Sequence, residues 1–255
     1  MRYLILAAGM GKRMRPAGAA SPARHLPPGH VGPRPQLPKC LIEIDGEPLI
    51  GRLVRQIRTH DPAADIRVVL GYRAEVVAPH VAGCEIVLNP FFDLTGINAS
   101  LWFARAAFSA PLMVIHGDVV LSDELAAALL CAEAESLVAF DSAVQDPREI
   151  NVTVVAGRVT RFGVNFAGFS GAYSGVLKLS AHAARRFADT LARRVERGFN
   201  EARTYYFFVL RELIADPEIV LSAFDFARHR WKEIDVPADV DLARRRCGRD
   251  GSEDS

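Results

Sequence analysis

Paired cysteines, long apolar runs, lysine and an excess of either charge are all scarce in this chain. Its four cysteines, Cys40, Cys84, Cys131 and Cys247, lie far apart and form no CxxC pair. That spacing argues against a zinc site or a disulfide framework and favours a reducing, cytoplasmic compartment. No apolar run approaches the roughly 20 residues of a membrane span. The opening Met1-Arg2-Tyr3-Leu4-Ile5-Leu6-Ala7-Ala8-Gly9 is too short in its apolar stretch for a signal peptide. The formal net charge is +1, so no global field draws nucleic acid or an anionic membrane. Lysine occurs only as Lys12, Lys39, Lys178 and Lys232 in a chain whose other basic residues are arginines. Base-composition drift accounts for most of that bias. Against it, a position that remains lysine is a candidate for a compact ammonium rather than a guanidinium fork.

What is present suits one globular domain over 1–247: half of the 255 residues are hydrophobic, enough for a sizeable core. Strands are expected at 2–7, 41–45, 66–71, 84–89, 112–117, 136–141 and 173–179. Helices are expected at 48–60, 73–81, 98–108, 122–133, 181–197 and 204–215. This alternation predicts an α/β fold, a mostly parallel Rossmann-like sheet with helices on both faces. Residues 151–164 read differently: two alternating runs flank Ala156-Gly157, a β-hairpin pattern, so a small antiparallel excursion is expected at the sheet edge. The Pro/Gly-rich stretch 15–38 can be neither helix nor strand, and a loop of that length is usually functional or disordered. The tail 248–255 is polar and expected to be disordered.

The first strand runs into Leu6-Ala7-Ala8-Gly9-Met10-Gly11-Lys12-Arg13-Met14. A glycine-rich turn after a strand offers backbone N–H groups to phosphate oxygens, and Lys12 and Arg13 add charge beside it. Alone this is weak evidence; it is not a Walker loop, nor does it carry the third glycine of a dinucleotide fingerprint. Other single residues have bland readings. Asp118 alone would be a turn or helix cap, Asp235 could begin a turn before Pro237, and Trp102 and His116 read as core. His25 and His30 on the Pro-rich loop are a weak metal pair.

Further elements follow in order. Pro38-Lys39-Cys40-Leu41 leads into Ile42-Glu43-Ile44-Asp45-Gly46-Glu47-Pro48-Leu49-Ile50. Val69-Leu70-Gly71-Tyr72, then Leu88-Asn89-Pro90 with Asn98-Ala99-Ser100-Leu101-Trp102, then Val114-Ile115-His116-Gly117-Asp118, and finally Trp231-Lys232-Glu233-Ile234-Asp235-Val236-Pro237-Ala238-Asp239 complete the series. Together these resemble the nucleotidyltransferase superfamily of sugar-phosphate pyrophosphorylases, with a pattern similar to that of its phosphocholine- and phosphonate-type cytidylyltransferases.

The resemblance implies a GT-A-like fold and a Mg²⁺-dependent transfer of a nucleoside monophosphate from a nucleoside triphosphate, CTP above others, to a small phosphomonoester or phosphonate. It implies Arg13, Lys39, Asp118 and Asp235 as catalytic residues, with Asp118 and Asp235 holding the metal. Leu6, Ala7, Ala8, Gly9, Gly11, Lys12, Arg13, Gly71, Tyr72, Asn89, Asn98, Ser100 and Asp118 would surround the nucleotide. Lys39, Tyr173, Lys178, Tyr205, Tyr206 and Trp231 would meet the acceptor. A sugar or cyclitol 1-phosphate pyrophosphorylase using another base is the alternative, and a non-catalytic nucleotide-binding regulator a third reading. A homodimer is left open. Two departures stand out. The 15–38 loop is longer than in relatives, which suggests a lid. And Tyr205-Tyr206-Phe207-Phe208 replaces a Tyr-Tyr-Glu-Asp run on the late helix, which removes two expected carboxylates. With Glu201 the only nearby carboxylate left on that segment, acceptors bearing a primary ammonium are expected to be poor.

Overall fold

The computed structural model describes residues 1–11, 14 and 37–248, and of Phe199 only the backbone. Lys12, Arg13, most of the 15–38 loop with its expected lid, and the tail from 249 onward lie outside the described residues.

Four parallel strands build the first half of the sheet: β1 (Arg2–Ala7), β4 (Asp65–Leu70), β5 (Glu85–Leu88) and β6 (Leu112–His116). A short 3-10 turn, Lys39–Leu41, precedes a minimal ribbon of β2 (Glu43–Ile44) and β3 (Glu47–Pro48), so the expected strand 41–45 is mostly turn. Helices α1 (Leu49–His60), α2 (Ala74–Val77) and α3 (Ile97–Phe103) link these strands, the last two running on as 3-10 turns. Then come β7 (Val119–Leu121), α4 (Asp123–Leu130), β8 (Leu137–Asp141), β9 (Asn151–Val155), β10 (Arg158–Gly163) and β11 (Gly171–Leu179). The chain closes with α5 (Ala181–Glu196), α6 (Phe199–Ala202), α7 (Phe207–Ile214), β12 (Ser222–Asp225), β13 (Trp231–Glu233) and α8 (Pro237–Cys247).

The main sheet has nine strands in the order β5-β4-β1-β6-β11-β8-β12-β10-β9. It is mixed rather than mostly parallel: β11 runs antiparallel to β6 and β8, and β10 antiparallel to β12 and β9. For β9 and β10 the reason is connection length. Parallel neighbours need a crossover of a dozen residues or more, whereas short links allow only antiparallel ones. The β9–β10 link is Ala156-Gly157 alone, with φ of 49° and 75°, the positive values that a two-residue hairpin turn demands.

Successive strand residues point to opposite faces, and both faces are covered. Leu4, Val114, Val138 and Leu177 pack with Leu101, Phe108, Phe187 and Leu210 of the later helices. Ile5, Val68, Ile115 and Ala139 pack with Ile50, Leu53, Ile57 and Leu125 of α1 and α4. Ser122 and Ser180 start α4 and α5, each hydroxyl accepting the backbone N–H three residues on.

From β1 the chain moves outward through β4 to β5, then returns to the other side of β1 as β6. Such a reversal opens a crevice at the C-terminal strand ends, where ligands of α/β sheets bind. The segments after β1, β4, β5 and β6 carry the motifs singled out in the sequence.

Candidate active site

Lys39 stands between two aspartates. Its Nζ donates to Asp118 Oδ2 at 2.9 Å and to Asp235 Oδ1 at 3.1 Å. The aspartates, far apart in sequence, meet because β7 and β13 pair antiparallel, with Glu233 opposite Val119, and Ile234 N–H donates to Asp118 O at 2.9 Å. Asp118 thus enters this ribbon and Asp235 leaves it. Asp239 holds the exit: its Oδ2 accepts from the N–H groups of both Asp235 and Val236 at 2.8 Å. The buried Arg52 ties α1 to the same unit, donating to Leu121 O and Cys247 O. On the other side, Gly117 brings β6 against β1, with its N–H on Leu6 O at 2.9 Å; a methyl group there would lie 3.0 Å from that oxygen. Gly11, at φ +59°, lies against the lysine stem, and a methyl group on it would fall 2.7 Å from Lys39 Cγ. The phosphate-type turn and the catalytic-type lysine are therefore one packed unit.

Burial works against the Lys39 charge, yet Asp118 and Asp235 outweigh it and hold the ammonium above its ordinary pKa. Glu233 behaves oppositely. Burial, then repulsion from Asp118 and Asp235, pushes its carboxyl up to about 8. The neighbouring Cys40 thiol, pushed by burial to about 12, is inert.

Clefts open on both sides of this centre. One, of about 350 Å³, runs along Ala7, Gly9, Met10 and Gly11 to Lys39 and Asp118. A second, of about 240 Å³, shares Leu6, Gly9 and Asp118 with it and ends on Ala8, Asn89 and Ser100. Asn89 and Ser100 are buried and bonded to each other, Nδ2 to Oγ at 3.0 Å. Phe92 and Thr95 line both clefts, and His116 floors the second. A third cleft, of about 150 Å³, lies beyond Asp235 and Glu233, between Trp231, Tyr173, Asp141 and Glu149.

His116 sits in a tyrosine cluster. Its Nε2 is 3.0 Å from the Tyr206 hydroxyl and 3.2 Å from that of Tyr205, and Tyr206 in turn bonds Tyr173. Burial lowers the imidazole pKa and raises all three phenols well above theirs, so these groups are neutral. The ring fits only because Gly175, at φ +77° within β11, has no Cβ; one would lie 2.9 Å from His116 Nδ1.

The structure gathers most of the residues expected from the sequence, but not all. Lys178 is remote: its Nζ donates to Ala132 O at 2.7 Å near the C-terminal end of β11. A strand of nine residues carries Tyr173 and Lys178 to different ends, so they cannot share a ligand. Asn98 is fully buried, and its amide holds Glu201 O and Thr204 Oγ1, fastening α3 to α6 instead of facing the clefts. Tyr206 is also fully buried and supports Tyr173 from behind. Tyr205 reaches His116 but lines none of the three clefts. Gly71 and Tyr72 stand behind Phe92: a methyl group on Gly71 would lie 2.6 Å from Phe92 Cβ, and the Tyr72 ring meets Phe92 edge-on. Lys12 and Arg13 lie outside the described residues. The expectation about Glu201 and the late helix is corrected as well. Glu201 pairs with Arg194 at 3.1 Å, Phe207 and Phe208 stack on each other away from the clefts, and carboxylates reach the third cleft from β8, the following loop and β13.

Sequence reasoning missed Phe92, Thr95, Glu233, Asp141 and Glu149. The first three lie inside or between motifs already quoted, so the motifs could have flagged them. Nothing in the local sequence marks Asp141 or Glu149.

Comparison with known proteins bears on the family and the fold. The family model of the MobA-like NTP transferase domain matches residues 3–162. The bifunctional IPC transferase and DIPP synthase of Rubrobacter xylanophilus is 28% identical over 247 residues, covering 94% of this chain and 50% of that protein. The bifunctional protein GlmU of Cupriavidus metallidurans is 29% identical over 167 residues, 63% of this chain and 32% of that one. The chain thus spans half or less of these relatives. Among solved structures, the CTP:phosphocholine cytidylyltransferase of Streptococcus pneumoniae superposes with a TM-score of 0.72 at 19% identity, covering 95% of this chain and 97% of that one. The inositol-1-phosphate CTP transferase of T. maritima gives 0.65 at 18%, covering 97% of each. Because the family model covers well over half of its length, this chain belongs to the MobA-like NTP transferase domain family, a family of nucleotidyltransferases.

Proposed function

We propose that the chain transfers the cytidylyl group of CTP to a small phosphomonoester or phosphonate. An acceptor oxygen attacks the α-phosphorus, the bond from that phosphorus to the oxygen bridging to the β-phosphorus breaks, and pyrophosphate leaves. The nucleophile is already an anion, so no base is required; the protein must bring two mutually repelling anions together and offset their charge. The observation that carries this reading is the Lys39 ammonium held between Asp118 and Asp235 where the clefts meet.

The turn from Ala7 to Gly11 would hold the triphosphate through its N–H groups. Arg13, by its place in the motif, would pair with the departing phosphates. Asn89, Ser100 and Phe92 would enclose a pyrimidine, for which a 240 Å³ end-pocket is well sized. Lys39 would lie along the path between acceptor oxygen and α-phosphorus. Asp118 and Asp235 supply the hard oxygen donors that suit Mg²⁺. Bound there, Mg²⁺ would neutralise phosphate charge. Four free cysteines support a cytoplasmic setting.

A second reading, a cyclitol 1-phosphate acceptor, is favoured by the Rubrobacter relative, whose similarity runs over 94% of this chain. Pyrophosphate release, measured for four nucleoside triphosphates against phosphomonoesters, phosphonates and sugar or cyclitol 1-phosphates, tests both. CTP is expected to support the fastest release. Equal or better use of ATP or GTP with the best acceptor would overturn the pyrimidine assignment.

A further inference from the structure

β5 is the outermost strand at one end of the main sheet, and its outer edge pairs with no described strand. Asn89 N–H donates inward to Leu70 O at 2.8 Å. Alternation along the strand then turns the N–H and C=O of Val87 towards β4 and those of Ile86 and Leu88 outward. The side chains on this edge are apolar. Ile86 is 41% exposed and Leu88 56%, both on the sheet face of Val68 and Leu70. Just past the strand, Phe91 is 52% exposed and stacks on Phe103 with ring centroids 6.2 Å apart, and Leu94 is 37% exposed. Native edges of this kind are blunted by lysine, a bulge or a covering strand. None of these is present among the described residues: no lysine stands between Glu85 and Asn89, and β5 pairs with β4 without a register shift.

We propose that this edge pairs with the same edge of a second copy of the chain, antiparallel about a two-fold axis at Val87, so that two sheets become one. An open strand edge fits another strand, and β5 is self-complementary in one register. With Val87 on the axis, Ile86 faces the partner's Leu88, and Leu88 faces the partner's Ile86. Each of these pairs exchanges both backbone hydrogen bonds and joins two apolar side chains on one face. Glu85, already paired with Arg67 at 3.1 Å, faces the partner's Asn89, so no like charges meet. Moving the axis to Leu88 sets Ile86 against the partner's Pro90, and proline has no N–H to give. Moving it to Ile86 sets Leu88 against the partner's Cys84, and the Cys84 N–H already donates to Val81 O at 3.0 Å. Ile86, Leu88, Phe91 and Leu94 leave roughly 300 Å² of apolar surface per copy. With the backbone edges, two copies bury about 1,000 Å², the lower end for a specific interface. A weak dimer, in the micromolar range, is therefore expected. The contact reaches the candidate site. Phe91 would lie over the partner's Gly83, and Phe92 and Thr95 of the same loop line the two clefts that share Gly9 and Asp118. Each copy thereby supports the loop that walls the other's clefts, whatever reaction they serve.

Sedimentation velocity of the chain over about 1–200 μM tests the pairing, and a monomer–dimer equilibrium is expected within that range. Leu88→Lys sets a hydrated charge opposite the partner's Ile86, twice per dimer, and should raise the dissociation constant at least about tenfold. Far-UV circular dichroism checks that the variant is folded; should it not be, Ile86→Lys carries the same test. Cross-linking reads the register. In a chain with Cys84→Ser and Cys131→Ser, Val87→Cys should form an intermolecular disulfide under mild oxidation, because its two Cα atoms would lie about 4.5 Å apart across the axis. Glu85→Cys should not, since its two copies would stand roughly 13 Å apart along the strands. A chain that stays monomeric throughout overturns the inference and leaves the edge to a strand of another protein. So does a dimer unmoved by both lysine variants, or one that cross-links through Glu85→Cys and not through Val87→Cys.

Discussion

The two sides of Lys39 are built from different material. On the side proposed for the nucleotide, apart from Lys39 and Asp118 themselves, the clefts are lined by glycine, alanine and neutral side chains placed by four parallel strands. On the other side, the cleft is lined by carboxylates and aromatic rings from β8, β11 and β13, in the antiparallel part of the molecule. The contrast follows from the chemistry each side faces. A polyphosphate needs N–H donors and close backbone approach, which small residues at strand ends provide. A small tail is told apart by charge and shape, which side chains provide.

The junction of the two sides should give the largest effect. Asp118→Asn keeps the shape but removes charge beside Lys39 and should lower kcat by at least about two orders of magnitude, the usual cost of a charge-stabilising group. Steady-state pyrophosphate release measures it, and near-normal turnover would remove Asp118 from the centre. The next effect sharpens the link from turn to lysine. In Gly11→Ala the new methyl would fall 2.7 Å from Lys39 Cγ, at a φ of +59°. Strain of about 1–3 kcal/mol should displace the lysine, and kcat/KM for CTP should fall by roughly tenfold. An unchanged value would mean that the turn and the lysine act independently.

A smaller effect separates the sides by pH. Glu233 has a folded-state pKa of about 8 against an ordinary carboxylate value. Its contribution to stability is therefore complete below the ordinary value and is lost as pH rises through about 8. In metal-free protein, Glu233→Gln should match wild type near pH 5 and exceed its Tm by a few degrees, about 2–4 °C for each kcal/mol, at pH 9. A difference independent of pH would contradict that. The smallest effect is expected at Lys178, which is bound to Ala132 O away from the clefts. Lys178→Met should change kcat/KM for either substrate by less than about twofold, as surface changes away from a site do.

The same division explains what could be read from the sequence. β1, β4, β5, β6 and the helices between them showed themselves through plain periodicity, and the turn from Ala7 to Gly11 through its glycines. Asp118 and Asp235 were legible as members of a spaced series, because each belongs to a contiguous motif. β7, β12 and β13 escaped because three or four residues carry no usable period, and α8 because its face is mostly polar. The parallel sheet was over-extended because strand order is set only in three dimensions: β11 enters antiparallel between β6 and β8. Lys178 was placed in the acceptor site by the resemblance, with no account of which end of β11 it occupies. Asp141 and Glu149 had no mark at all, since convergence of distant segments is not written in any one of them. Nor could spacing show that the Asn98 amide nitrogen donates to Glu201 O and Thr204 Oγ1.

The β7–β13 ribbon has a consequence for biosynthesis. A nascent chain emerging from the ribosome carries β1, β4, β5 and β6, together with the glycine turn, long before its last segment is made. At that stage it carries Asp118, but Lys39 lacks its second partner. Asp235, and the Asp239 carboxylate that fixes it, arrive only with β13 and α8. The last part to be translated therefore completes the pair of carboxylates around Lys39.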